Sequence, residues 1–310
     1  MATYILKRFL QLIPVFLGAT LLVYFLVFSL PGDPIVALFG DKPVNEAVAA
    51  KLRAQYHLDQ PFGIQYLLYL KSIFTFDLGQ DFSGRPIAAV LGEVFPVTAR
   101  LAVMALIFEG VFGIIFGLIA GLRKGKFFDA TVLVASLVVI GIPIFVLGFL
   151  LQFTIGVQLG WAKPTVSSAA TVQDLILPAI VLGLASFAYV LRLTRTSVIE
   201  NMSADYVRTA TAKGLSRFRV VRVHILRNSL IPAVTATAPL LGYLIAGSFI
   251  VEFIFGIPGI GRYFVISVTG RDYSVTMGIT VMLSVIIIFA NLVVDILYGF
   301  LDPRTRDVRT

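Results

Sequence analysis

Apolar residues along this chain gather into six long runs separated by polar connections of unequal length. The runs extend approximately from Phe9 to Leu30, Leu101 to Leu122, Thr131 to Ile155, Leu175 to Leu193, Pro232 to Ile254 and Val275 to Phe300. A helix rising about 1.5 Å per residue needs roughly 20 apolar residues to cross a hydrocarbon layer about 30 Å thick, and each run approaches or exceeds that length. From Ala130 to Ala162 there is no charged residue at all. The pattern predicts an all-α fold, a polytopic membrane bundle of about six transmembrane helices.

The first run follows Lys7 and Arg8 as a secretory leader would, but it is longer than the 7–15 residue core of a leader and no small-x-small site follows it. It reads as a retained span. The segment from Pro31 to Arg100 is too polar to span and has structure of its own. Asn45 is placed to cap a helix through Gln55 with Val44, Val48, Leu52 and Tyr56 on one face. The run Tyr66 to Leu70 is too short to cross and aromatic enough to lie at an interface, and Gly79, Gly84 and Pro86 break the chain after it.

Composition sharpens the picture. The 310 residues are 58% hydrophobic and 14% charged, against roughly 45–50% and about 25% in soluble domains, which argues against a water-soluble enzyme. The net charge of +8 is spread between apolar runs rather than along one polar face, so it marks membrane topology and no nucleic-acid partner. Arg123, Lys124 and Lys126 lie between runs two and three. Arg192, Arg195, Arg208, Lys213, Arg217, Arg219, Arg222 and Arg227 lie between four and five, and Arg304, Arg306 and Arg309 follow the last run. The other side has only Lys163, Arg262 and Arg271 in its shorter connections. The excess of positive charge marks the cytoplasmic side, which places both termini there.

Candidate chemistry is sparse. There is no cysteine, and His57 and His224 lack partners at metal-ligand spacing, so no metal site is assigned. The nearest approach to a phosphate loop, Gly121 to Phe127, is one residue short between its glycines and has Phe127 where a magnesium-binding hydroxyl belongs. Acids within the apolar runs are costly and ordinarily face protein or water. Glu109 reads as an interhelical hydrogen-bonding group and Asp295 as half of a structural pair. Glu252, followed by Phe255, Gly256, Pro258, Gly259 and Gly261, reads as part of a gate or pathway, since such glycines permit irregular backbone beside a cavity. Pro143 and Pro239 each remove a backbone donor within a span and predict a kink, and Asp302-Pro303 terminates the last helix.

The most informative polar stretch is Ala204 to Leu215. Ser203 is placed to cap a short helix, Asp205 suits its first turn, Lys213 its last, and Gly214 its end. A second helical run, Ser216 to Asn228, leads to Pro232. Arg208-Thr209-Ala210, then Gly214, then Leu230-Ile231-Pro232 resemble the cytoplasmic signature of ABC-importer permeases, with Arg208 where an acid is usual and a longer interval to Pro232. These departures resemble the dipeptide, oligopeptide and nickel branch, and so do further blocks along nearly the whole chain. They are Leu30 to Pro34, Leu58 to Pro61, Asp77 to Gly79, Gly141 to Phe145, Val251 to Gly261 and Leu301 to Arg304. The long external segment is similar to that of the first of the two permease types.

The resemblance implies a non-enzymatic permease subunit of the inner membrane that forms half of a translocation pathway. Its expected partners are a second homologous permease, two ATPase subunits or domains, an extracytoplasmic substrate-binding protein and membrane lipid. No cofactor is expected on this chain, since ATP and magnesium would sit in the ATPases. The helix carrying Asp205, Tyr206, Val207, Arg208, Thr209, Ala210, Lys213 and Gly214 would be the coupling helix, its Tyr206, Val207 and Ala210 forming an apolar docking face. On this reading residues 1–8 are a cytoplasmic N-terminus, 9–30 the first span and 31–100 extracytoplasmic. Residues 101–300 are a five-span core with its coupling region at 196–231, and 301–310 a cytoplasmic tail.

Nickel, glutathione or opines stand beside peptides as cargoes implied by the same resemblance. An ion-coupled carrier using Glu109, Glu252 and Asp295 is the more distant alternative, and it lacks an evident inverted repeat. The charge pattern predicts that reporter fusions after Lys126, Lys213 and Thr310 report cytoplasm, and that fusions near Gln80, Ser168 and Gly270 report the outside. Inverted readings at both Lys213 and Ser168 would defeat it.

Overall fold

A computed structural model describes residues 2–28, 46–55, 59–75, 77–81, 83–270 and 272–301. The Leu30 to Pro34 block, Val44, Asn45, Tyr56, His57, Leu58, Arg271, Asp302-Pro303 and the arginines of the tail lie outside them, as does the side chain of Asp295. The helices are α1 (Ala2–Phe28), α2 (Glu46–Gln55), α3 (Phe62–Phe74), α4 (Ile87–Leu122), α5 (Phe127–Gly141), α6 (Ile144–Leu151), α7 (Val172–Met202), α8 (Asp205–Ala212), α9 (Arg227–Phe255), α10 (Ile260–Thr269) and α11 (Tyr273–Leu301). Each apolar run is helical where it is described, save for a break at Ile142 and Pro143 in the third, so the bundle is all-α as expected.

Among the described residues α4 and α7 are each long and apolar enough to cross a membrane unaided, and two bent pairs qualify if each is taken as one span. The helix of the second span begins at Ile87, inside the segment read as external, because Pro86 supplies a start that apolar content alone does not mark. The run from Ser216 does not stop at Pro232. It passes through Arg217–Arg219 and a π-helical stretch, Val220–Leu226, directly into α9. The third span departs further from expectation. Instead of one kinked helix it is two, α5 and a helix from Ile144 to Gln158, set 105° apart. Pro143 is the cause: Ile142 before it is extended (φ −91°, ψ 122°) and Pro143 itself sits at ψ 139°, because the pyrrolidine ring clashes with a helical predecessor. About Pro239 the turn is 50°.

The chain forms two compact units, one of residues 1–96 with 263–310, the other of residues 97–262. In the first, α1 packs along α11 and against α3. The aromatic run faces α1: Tyr24 stacks at a tilt on Tyr66 and Tyr69, the Tyr24 hydroxyl donates to Gln65 Oε1 (3.0 Å), and the Tyr66 hydroxyl donates to the Leu17 carbonyl (2.9 Å). Leu67 points the other way and is exposed. The break after α3 is a turn in which Gly79 and Gly84 have φ of 81° and 77°. Asp81 organises it, accepting from the Ser83 and Arg85 amides (2.9 Å each) and from the Tyr263 hydroxyl (3.1 Å). Desolvation pushes the Asp81 carboxyl up, but those donors outweigh it and hold it below its usual range. Asp272 caps α11 by accepting from the Val275 amide (3.1 Å).

In the second unit α7 is the central element, its apolar stretch far more buried than that of α4. It packs on α5, α6 and α9. Thr171 caps it by accepting from the Asp174 amide, and Asp174 in turn holds Lys163 (2.8 Å) and Ser167 (2.8 Å). Along α4, Gly113, Gly117 and Gly121 recur every four residues and meet α7 edge on. A β-carbon at Gly113 would lie 2.9 Å from Val190, one at Gly117 2.5 Å from the Leu191 carbonyl, and one at Gly121 2.7 Å from Val198. Gly183 reciprocates from α7, where a β-carbon would come within 2.8 Å of the Ala105 carbonyl. Such a stripe lets two backbones approach where apolar side chains gain nothing by leaving lipid.

Gly117→Ala forces backbone apart and should lower the stability of the purified protein by about 1–3 kcal/mol. Gly110→Ala, where a β-carbon meets nothing within 4 Å, should leave it equal or raise it by up to about 1 kcal/mol through helix propensity. Thermal unfolding of the two in one detergent checks this, and equal losses would contradict the close-approach argument.

Candidate functional site

An isolated helix of eight residues does not hold together in water, so α8 must be held by what it touches. Val207 and Ala210 are buried (7% and 4% exposed) in a cluster with Val198 of α7 and Val220 and Ile225 of the π-helical stretch. Leu118 and Leu122 of α4, Leu215 and Val221 close around it. Burying one valine is worth roughly 1.5–3 kcal/mol, enough to fix so short an element. Val207 and Ala210 are thus not available as a docking face. They clamp α8 to its own scaffold, and this corrects the expectation for those two residues.

The opposite face is open. Asp205, Tyr206, Arg208, Thr209, Thr211, Ala212 and Lys213 are all exposed. Asp205 and Arg208 stand 3.7 Å apart one turn along the helix, an exposed pair that contributes little to stability. The Tyr206 hydroxyl donates to Asn201 Oδ1, and Asn201 also donates to the Ser197 carbonyl (2.8 Å) and the Ser229 hydroxyl (3.2 Å). That amide therefore ties α8 and α9 to the end of α7. Ser203 does not cap α8; its hydroxyl donates to the Glu200 carbonyl and finishes α7, and Ala204 begins α8 without a side-chain cap. The far end is as expected. Gly214 has φ +77°, its amide reaches the Thr211 carbonyl (2.9 Å), and the Leu215 amide reaches the Ala210 carbonyl (3.3 Å). Both are bonds of a Schellman turn, and Leu215 folds back onto the apolar cluster as that turn favours.

The second candidate region centres on Glu252, which is fully buried near the end of α9. Its Oε1 accepts from the Thr98 hydroxyl of α4 (2.7 Å) and the Ser248 hydroxyl one turn earlier (3.1 Å), and its Oε2 accepts from the Arg262 amide (3.1 Å). Thr98 also accepts from the Ile260 amide (2.9 Å). The carboxylate therefore sits at the first turn of α10, whose unpaired amides favour a negative group. Gly256 turns the chain at φ +66°, the Arg262 guanidinium donates to its carbonyl (2.8 Å), and Phe255 is fully buried. Its carbonyl accepts from the Val166 amide (2.9 Å). Pro258 is half-buried, and a β-carbon on Gly259 would run into the Glu252 carboxylate. The four residues singled out here are thus brought together in one locked turn.

Glu109 differs. It is fully buried and faces Ser186 of α7, the interhelical neighbour expected of it, at a geometry short of a full hydrogen bond. Among the described residues no group of three or more acids and histidines is placed to hold a metal ion. Two features escaped sequence reading. The glycine stripe on α4 was legible as Gly-x-x-x-Gly-x-x-x-Gly. The pairing of Arg195 with Asp129 was not, because Arg195 looks like any topology-setting charge until α5 and α7 are seen side by side.

Residues 113–307 match the family model described as binding-protein-dependent transport system inner membrane component, and residues 1–111 match the model of the corresponding N-terminal region. The dipeptide transport system permease protein of Bacillus subtilis is 40% identical over 99% of this chain and 98% of its own length. The di/tripeptide transport system permease protein of Pseudomonas aeruginosa is 37% identical over the full length of both. Among solved structures, a crystal structure of an amino acid ABC transporter with histidines aligns at a TM-score of 0.50 and 19% identity, covering 67% of this chain and 92% of that one. That likeness concerns the fold.

Replacing Glu252 by glutamine puts an amide donor where only donors point. Glu252→Gln should destabilise the protein by about 1–3 kcal/mol, and Ser248→Ala, which leaves the carboxylate its other donors, by about 1 kcal/mol or less. Thermal unfolding checks both, and an unchanged midpoint for Glu252→Gln would show that the network does not hold the turn.

Proposed function

The chain belongs to the family of inner membrane components of binding-protein-dependent transport systems, and from that premise we propose that it is the permease subunit of an ATP-driven importer of dipeptides or oligopeptides. The protein is a multi-pass inner membrane transport component and not an enzyme. The peptide cargo rests on relatives that match end to end and are named for dipeptides and for di- and tripeptides. In this reading α8 is the coupling helix, both termini are cytoplasmic, and hydrolysis occurs on two ATPase subunits. A second permease completes the pathway, and a binding protein delivers cargo on the far side.

The observation that carries the coupling role is the division of α8 into two faces. Val207 and Ala210 hold it to the ends of α4 and α7, so a push on its outer face moves those helices, not the loop alone. Asp205, Arg208, Thr209 and Lys213 offer directional polar contacts to a partner, and Gly214 sends the chain away without lengthening the helix. Glu252, Phe255, Pro258 and Gly259 form the candidate gate at the other end of α9, a turn held shut by one carboxylate.

The chain has no cysteine, so single cysteines report without background. In assembled complexes that import a labelled dipeptide, Thr209→Cys should cross-link to an ATPase subunit through a short bifunctional reagent, and Ser168→Cys should not. Active complexes in which Thr209→Cys never reaches an ATPase subunit would overturn the coupling role. Complexes that assemble but ignore dipeptides would overturn the cargo.

A further inference from the structure

One ion pair stands apart from the others among the described residues. Arg195 of α7 grips Asp129 of α5 with two parallel hydrogen bonds, Nε to Oδ1 at 2.5 Å and a terminal nitrogen to Oδ2 at 2.8 Å. The Gly125 amide adds a third donor to Oδ2 at 2.9 Å. The two side chains are 21% and 5% exposed. By contrast, Arg85 and Glu93 are 51% and 65% exposed, and Arg208 and Asp205 73% and 98%. A planar guanidinium on a carboxylate fixes orientation as well as distance, and withdrawal from water keeps such a pair from being screened as a surface pair is.

Its position gives that rigidity a use. Arg195 lies in the last two turns of α7, one turn before Val198 of the cluster that clamps α8. Asp129 lies in the first turn of α5, which runs to the break at Pro143 and the 105° change of direction. Beyond the break, α6 packs on α7 and α9. Gln152, the residue that follows it, donates to the carbonyls of Pro164 (2.7 Å) and Ile254 (3.0 Å), and Ile254 is two residues from Glu252. The α5–α6 pair is thus held near α8 by one salt bridge, hinged in its middle by a proline, and fastened at its far end beside the locked turn.

We infer that Asp129 and Arg195 are a transmission latch, positioning residues that carry the displacement of α8 through the end of α7 into the broken span α5–α6. The inference rests on the permease reading and adds the route by which the coupling helix reaches the pathway. The glycine stripe brings α4 and α7 into backbone contact at this end, and among the described residues Asp129 and Arg195 form the one ion pair between α5 and α7, tying the start of α5 to the end of α7. With the latch intact α5 follows α7. Without it α7 moves and α5 lags, and hydrolysis proceeds with less transport.

The test measures peptide taken up per ATP hydrolysed by the complete importer in proteoliposomes, for wild type, Asp129→Asn, Arg195→Gln, Arg195→Lys and the exchange of the two residues, Asp129→Arg with Arg195→Asp. Assembly is scored by recovery of the partner subunits, and the Arg195→Lys and exchanged proteins guard against variants that fail to fold. The latch predicts that Asp129→Asn and Arg195→Gln keep ATP turnover but lose about five- to tenfold in peptide per ATP. Arg195→Lys, which keeps the charge but not the fork, should fall between them and wild type, and the exchange should recover a substantial part of the loss. Fewer complexes with an unchanged ratio would mean a merely structural pair and overturn the inference, as would a wild-type ratio in both single neutral variants. Either result leaves the coupling role of α8 standing, because that role is read from the contact of Thr209 with the ATPase, whereas failure of that contact removes the premise of both.

Discussion

The close approach of α4 to α7 is the constraint on which the rest of this structure depends. Gly113, Gly117 and Gly121 bring the α4 backbone directly against Val190, Thr194 and Val198 of α7, and a β-carbon on residue 117 would come within 2.5 Å of the Leu191 carbonyl. In lipid, where apolar surface alone drives no association, contact at this range supplies the dispersion that holds two helices together. It also brings Leu118 and Leu122 beside Val198, and so builds the pocket that receives Val207 and Ala210. The short helix α8 is an element at all because of that pocket.

From there the chain reads as a lever system. At one end an eight-residue helix presents a polar face and hides its apolar one. At the other a buried carboxylate gathers donors from α4, α9 and the start of α10. Between them α7 runs as one unbroken helix with its apolar stretch largely buried, while its neighbour is bent through 105° at Pro143. A membrane protein tolerates irregular backbone where protein surrounds it and satisfies its polar groups. The Glu252 turn fits that rule, with the Gly256 carbonyl, the Ile260 amide and the Arg262 amide each given a partner.

Much of this was legible in the sequence, for identifiable reasons. Hydropathy alone located the long apolar helices, because length and the absence of charge leave a run such as Ala130 to Ala162 little alternative. Gly214 was readable as a helix stop because a left-handed turn there suits glycine. What the chain hides is relational. Val207 and Ala210 looked available to a partner because nothing in the string says that Val220 and Ile225 fold back on them. Ser203 suited a cap for α8 and instead completes α7, one of two local hydrogen-bonding choices that only the geometry separates. Glu109 pointed to a neighbour across the helices without saying which, and Ser186 lies 77 positions further along the chain. Arg195 was one basic residue among many, and its partner lies 66 positions earlier in the chain.

The central claim is that the outer face of α8 meets an ATPase subunit while its inner face stays clamped. Hydroxyl-radical footprinting of the purified chain, alone and with its ATPase partners, tests it directly. Tyr206 is 39% exposed and Trp161 78%, and both side chains oxidise readily when water reaches them. The account predicts that addition of the partners protects Tyr206 and leaves Trp161 as reactive as before. Unchanged labelling of Tyr206 in a complex that hydrolyses ATP would contradict it.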